Sequence, residues 1–220
     1  MPRHGELLVE AIVNGPFMEN CYIAADAEQG KAILIDPGDE EERILEAVQR
    51  LKLEVQAIVC THAHIDHVGS VGALQRQLKV PFYLHAEEKP ALQHLASQAA
   101  LFGLRAPELP QVDRALAQGD EIEVGRLRAE VRFTPGHSAG GCCLYFPAPR
   151  VVFVGDTLFA GSIGRTDLPG GSLERLLASI REQLLSLDDD VVAYSGHGPA
   201  TRIGAERRDN PFLQPGARLD

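Results

Sequence analysis

Residues 54–67 read EVQAIVCTHAHIDH, a short apolar run closed by Cys60 and then Thr61-His62-Ala63-His64-Ile65-Asp66-His67. Four metal-competent side chains fall within the six positions 62–67. In extended chain, side chains repeat every two residues, so His62 and His64 point the same way and can share one metal. Asp66 and His67 follow where the chain turns into a helix expected to run over 68–79. Being adjacent, they need not face the first pair and can serve a second metal beside it. Imidazole is the commonest metal ligand. Three histidines and an aspartate crowded at a strand end therefore point to a metal site, not to a polar loop.

Working outward, three more places hold candidate ligands. His137 sits in Thr134-Pro135-Gly136-His137-Ser138, where Pro and Gly shape a tight turn. Asp156 ends the apolar run Val151-Val152-Phe153-Val154-Gly155. Its two oxygens can bridge two cations, and Gly155 lets other groups come close. His197 lies in Ser195-Gly196-His197-Gly198-Pro199, with a glycine on each side. Each follows a strand, and open α/β sheets collect ligands at the carboxyl ends of their strands. The count gives His62, His64 and His137 to one metal, and Asp66, His67 and His197 to another, with Asp156 between them. Such a nitrogen-rich set with two carboxylates suits zinc, iron or manganese.

The elements around these motifs alternate in type. Strands are expected at 6–13, 21–27 and 31–35, a helix at 40–51 and a strand at 54–60. After the 68–79 helix come a strand at 80–84 and a surface helix over 87–101. Residues 121–134 alternate apolar and polar in two pieces, a hairpin turning at Gly125-Arg126. Strands at 142–147 and 151–154, an amphipathic helix at 172–186 and a strand at 190–194 complete the order. No repeat, low-complexity tract or linker interrupts the chain, so a single domain over residues 1–220 is expected. The pattern supports a mixed α/β sandwich, two sheets covered by helices.

The 220 residues carry 21 basic and 31 acidic side chains, a net charge of -10. That balance counts against nucleic acid and anionic membrane as partners, because both need clustered Lys and Arg. Glu6, Glu10 and Asn14 break any signal-peptide core near the start, and no apolar run is long enough to span a bilayer. Cys21, Cys60, Cys142 and Cys143 show no two-residue ligand spacing. Reduced core thiols in a cytoplasmic protein are expected. His4, His85 and His94 have no partner pattern and read as surface residues. Glu87-Glu88 reads as a solvated helix start, and Arg202, Arg207 and Arg208 as surface charge.

His62-x-His64-x-Asp66-His67 followed by His137, Asp156 and His197 in that order resembles the metallo-β-lactamase superfamily, over about Asn20 to Leu213. The resemblance implies a four-layer αβ/βα sandwich, two mixed β-sheets flanked by helices, with metals at the sheet edges. Within the superfamily, Gly155-Asp156-Thr157-Leu158-Phe159 and Gly164-Arg165 are similar to glyoxalase II-related hydrolases. Full-length hydroxyacylglutathione hydrolases have a substrate-contacting lysine where Arg165 stands and a tyrosine where Asp167 stands. They also carry a helical C-terminal domain. This chain keeps only a stretch like its end, Glu206 to Leu213, and resembles the short bacterial group.

The expected activity is hydrolysis of a small-molecule thioester such as a hydroxyacylglutathione. Two divalent metal ions would serve it, zinc first with iron or manganese as alternatives, and a hydroxide bridging them would be the nucleophile. Asp66 would orient that nucleophile and take its proton. Arg165 would hold a substrate carboxylate. Asp36, in Asp36-Pro37-Gly38, would support a ligand histidine through its other ring nitrogen. The alternative is a persulfide dioxygenase. Those enzymes share Gly164-Arg165-Thr166-Asp167 and use one iron, here on His62, His137 and Asp156. No feature of the sequence speaks to oligomeric state.

Overall fold

Strands that bury both faces read as near-continuous apolar runs, and the early strands of this chain do so. The computed structural model describes residues 1–214 and 216. The first half of the chain forms one seven-stranded sheet in sequence order. Its strands are β1 (Arg3–His4), β2 (Leu7–Asn14), β3 (Glu19–Asp26), β4 (Lys31–Ile35), β5 (Glu54–Val59), β6 (Phe82–His85) and β7 (Arg114–Leu116). β1 to β4 pair antiparallel and β4 to β7 parallel. The parallel steps need crossovers. These are α1 (Glu41–Leu51), then α2 (Ile65–Val68) with α3 (Val71–Leu78), then α4 (Lys89–Gln93) with α5 (Leu95–Leu101).

The second half builds a six-stranded sheet. β8 (Glu121–Val124), β9 (Leu127–Phe133), β10 (Cys142–Phe146) and β11 (Val151–Gly155) form an antiparallel run. The small hairpin of β12 (Leu158–Phe159) and β13 (Ser162–Ile163) follows, then α6 (Leu173–Ser179). β14 (Val192–Ser195) returns parallel to β11, and β15 (Thr201–Arg202) with α7 (Ile203–Asp209) ends the order.

Three separate apolar cores show that the layers number four. Alternation along β3 and β4 sends Cys21, Ile23, Ala32 and Leu34 toward α1, α3 and α5. The intervening Tyr22, Ala24, Ile33 and Ile35 meet Val131, Leu144 and Phe153 of the other sheet. Beyond that sheet, Val152, Val154 and Ala193 pack on Leu176, Ile180 and Ile203. Asp26 bolts the sheets together at one edge: its buried carboxylate accepts from the amides of Glu28, Gln29 and Arg126. Burial would raise its pKa, but these bonds and the Arg126 guanidinium pull it down to about 2.

The four-layer sandwich is as expected, while several elements differ in detail. The helix expected at 68–79 starts at Ile65 and breaks at Gly69-Ser70. The 87–101 helix is split at His94, and the 172–186 helix loosens into a π turn over Ile180–Leu184. β1, β7, β12, β13 and β15 have two or three residues each, too few to show alternation in sequence. Residues 215 and 217–220 of the expected domain lie outside the described residues. Among those described, no helix is long and apolar enough to cross a membrane.

Candidate metal centre

The four loops that hold the candidate ligands leave the carboxyl ends of β5, β9, β11 and β14, three of which are paired parallel to a neighbour. Strand twist and the sheet-on-sheet core bring these ends to one edge of the sandwich. There the structure brings together all seven sequence-predicted donors. His137 Nε2 lies 3.2 Å from His62 Nε2 and 2.9 Å from His64 Nδ1. Asp66 Oδ2 lies 3.2 Å from His197 Nε2 and 3.8 Å from His67 Nε2. Asp156 faces both groups: Oδ2 is 3.6 Å from both His137 Nε2 and His197 Nε2, and Oδ1 is 3.5 Å from His67 Nε2.

The donor chemistry fits a cation. His137 Nδ1 donates to the Arg165 carbonyl at 2.8 Å, which turns Nε2 toward the other two imidazoles. His197 Nδ1 likewise donates to the Phe17 carbonyl at 3.2 Å, which turns its Nε2 toward two carboxylates. His67 Nε2 and Asp156 Oδ1 are buried without hydrogen-bond partners. Each such buried orphan costs about 1–3 kcal/mol. Lone pairs and orphaned acceptors converging on shared points are what a bound cation would satisfy.

Electrostatics divides the set. Burial, and then the neighbouring His67 ring, pushes His62 well below the usual histidine range. Burial and His137 push His64 down to about 4. Both are thereby held in the neutral form that binds metal. Burial opposes charge on His67 too, but the Asp156 and Asp66 carboxylates outweigh it and raise its pKa. Burial would raise Asp66, yet His67 and the bond from His197 hold it below the carboxylate range.

Asp36 stands behind the cluster in a left-handed conformation, φ 51°. Its Oδ2 is 3.1 Å from His67 Nδ1, and its two oxygens accept from the Thr61 amide at 2.6 Å and hydroxyl at 2.7 Å. It thus lies against a candidate ligand and also braces the loop root. Gly196 is required by close approach: a Cβ there would sit 2.3 Å from Asp156 Oδ1 and 2.6 Å from His67 Cε1. Arg165 is exposed, and its guanidinium is gripped at 2.8 and 2.7 Å by both Asp167 oxygens.

Two expectations need correction. Glu88 is not solvated; it is buried, accepting from the amides of Ala63 at 2.7 Å and Gly140 at 2.6 Å. His85 is not a surface residue; it is buried and stacks on Phe133 at 4.4 Å. Sequence reading also passed over Glu19, buried 3.9 Å from His67 Nδ1 and bonded to Asn14. Its only signal is a charge at the start of a run that is otherwise buried throughout. The four cysteines are buried and unpaired, as core thiols should be.

A groove of about 510 Å³ is lined by Asp66, Phe17 and Leu104, with Asp39 and Arg105 also on its walls. Its size is in the range of small-molecule sites.

The family described as the metallo-beta-lactamase superfamily matches residues 14–197. A Haemophilus influenzae protein named hydroxyacylglutathione hydrolase GloC is 38% identical over 207 residues, 93% of this chain and 97% of its own. Among solved structures, the B3 metallo-beta-lactamase BLEG-1 superposes with a TM-score of 0.88 at 37% identity, covering 94% of this chain and all (100%) of its own. TTHA1623 in a di-iron-bound form gives 0.86 at 42% identity, covering 93% and 100%. ETHE1 from Myxococcus xanthus gives 0.77 at 27% identity, covering 93% and 83%.

Proposed function

The chain belongs to the metallo-beta-lactamase superfamily, and from that premise we propose that it is a metal-dependent hydrolase of a small-molecule thioester, a hydroxyacylglutathione being the type. The observation that carries this reading is the completeness of the second triad. Asp66, His67 and His197 gather beside His62, His64 and His137, with Asp156 facing both. A single-metal oxygenase needs only the facial set of two histidines and one carboxylate. The GloC relative supports the thioester, and the di-iron-bound neighbour supports two ions without favouring zinc.

His62, His64 and His137 would hold one divalent ion and Asp66, His67 and His197 the other, with Asp156 shared between them. When bound, such ions supply an acidified water and a Lewis acid for an acyl carbonyl. The chain's own residues do the rest. Asp66, which lines the groove, orients the attacking water and takes its proton on Oδ1, leaving Oδ2 facing His67 and His197. The groove lined by Phe17 and Leu104 receives one arm of the substrate. Arg165 binds a substrate carboxylate only when Asp167 yields its grip. A departing thiol has a pKa of about 8.5, so it leaves as thiolate and the site needs no acid to protonate it. The proposed setting is the cytoplasm, with the small substrate as the partner and neither nucleic acid nor membrane.

A second reading, a persulfide dioxygenase with one iron on His62, His137 and Asp156, is favoured by Gly164-Arg165-Thr166-Asp167. One experiment separates them: metal content of the purified protein, lactoylglutathione hydrolysis, and oxygen uptake with glutathione persulfide. Two metals per chain with thioester cleavage and no oxygen uptake is the expected result. One iron per chain with oxygen consumption would overturn the hydrolase.

A further inference from the structure

We propose that Glu88 is a positioning residue that sets the spacing between the loop of His62 and His64 and the loop of His137. The inference rests on the metal-centre reading above. The two loops leave different sheets, yet their ring nitrogens converge to 2.9 and 3.2 Å. At their roots one main-chain bond joins them, from the Cys142 amide to the Thr61 carbonyl at 2.9 Å. Asp36 on Thr61 and the Cys142 thiol, 3.9 Å from the Cys60 carbonyl, also act at the roots, so the angle between the loops is set by a tie farther out.

Glu88 supplies that outer point from a third element, the turn Ala86–Glu88 after β6. One oxygen accepts from Ala63, the residue between His62 and His64; the other accepts from Gly140, three residues past His137. Gln98 of α5 completes the hold on the first loop: its side chain accepts from Ile65 N and donates to Ala63 O. The Gly140 backbone lies flush on Glu88, where a Cβ would come within 2.9 Å of both the Glu88 Cγ and amide. Two amide donors aimed at one side chain demand two acceptors. Glutamine offers one acceptor and turns an NH2 group on the other amide. Aspartate is one methylene shorter.

Cobalt(II) titration of the metal-stripped full-length protein, followed by visible absorption, tests this. His137→Ala and His197→Ala supply reference spectra for the two centres. Glu88→Gln should weaken cobalt at the His62–His64–His137 centre about tenfold to a hundredfold and alter its band, leaving the other centre unchanged. Glu206→Gln is the control. Glu206 is equally a buried acceptor, bonded to Gly161, Thr201 and Asn210, and its loss should leave both affinities at wild-type values. Gly140→Ala, which displaces the same contact without removing the carboxylate, should reproduce the Glu88→Gln spectrum, and it carries the test if Glu88→Gln fails to fold. Wild-type affinity and spectrum in both Glu88→Gln and Gly140→Ala, or equal losses in Glu206→Gln, would overturn the proposal. A wild-type protein that binds no cobalt, or a His137→Ala variant that binds it unchanged, would overturn the centre itself.

Discussion

The two triads sit side by side but in different surroundings. His62, His64 and His137 are three imidazoles held by main-chain groups and by Glu88, and burial keeps His62 and His64 uncharged. Asp66, His67 and His197 stand among carboxylates, with Asp156, Asp36 and Glu19 all within 3.9 Å of a His67 ring nitrogen. The first set is made of imidazoles with no carboxylate of its own, so its affinity for a cation depends on how accurately the rings converge. The second set carries charge before any cation arrives, so its affinity depends more on field than on angle. One centre can therefore be spoiled by a small displacement and the other by a change of charge.

The largest expected effect breaks the pair apart. His137→Ala removes the nitrogen common to both contacts of the first triad. It should empty that centre and lower thioester hydrolysis about a thousandfold or more, the scale of several kcal/mol of lost charge stabilisation. His197→Ala should lower occupancy of the second centre alone. Metal stoichiometry by elemental analysis, read beside kcat/KM, checks both. Loss of both metals in either variant would mean that the triads fill as one unit, and the contrast between them would fall.

A smaller effect sharpens the contrast at the rim. His137 uses the carbonyl of Arg165, not its side chain. Arg165→Ala should thus leave both metals bound and raise KM several-fold at unchanged kcat, the signature of lost uniform binding. Asp167→Asn frees the guanidinium and should lower KM. Steady-state kinetics at fixed metal content decides, and a fall in kcat for Arg165→Ala would place its side chain on the transition state.

The smallest effect lies outside both triads. Asp26 is another buried carboxylate, but its oxygens are saturated by amide donors, so it needs no cation. Its pKa is about 2 folded against 3.8 for an ordinary aspartate, and its stabilisation is therefore present above about pH 4 and lost as pH falls toward 2. Asp26→Asn should cost about 2 kcal/mol of stability near pH 7. That difference should shrink between pH 4 and 2 in denaturant titrations of metal-free protein, with metal affinity untouched. A stability gap that is constant over that range would show that Asp26 acts through packing alone.

Much of this molecule is legible from local pattern. The strand before Cys60, the run of donors from His62 to His67, and the single ligands after β9, β11 and β14 are short-range facts. A strand end is visible as an apolar run that stops, and ligand types are visible as letters. Two of the three cores lie on the two faces of β3 and β4, both apolar and each in need of cover, while the number of layers was implied only by the family resemblance. The sequence by itself determined which residues can donate and at which strand ends they stand, because periodicity and side-chain chemistry are properties of neighbours along the chain. Only the tertiary structure decided that Glu88 and Glu19 lie inside, that His85 is covered, and that Asp36 braces Thr61 as well as facing His67. Those outcomes depend on which distant surfaces meet. An isolated charged residue carries no mark of the amide donors, 25 and 52 residues away, that make its burial tolerable.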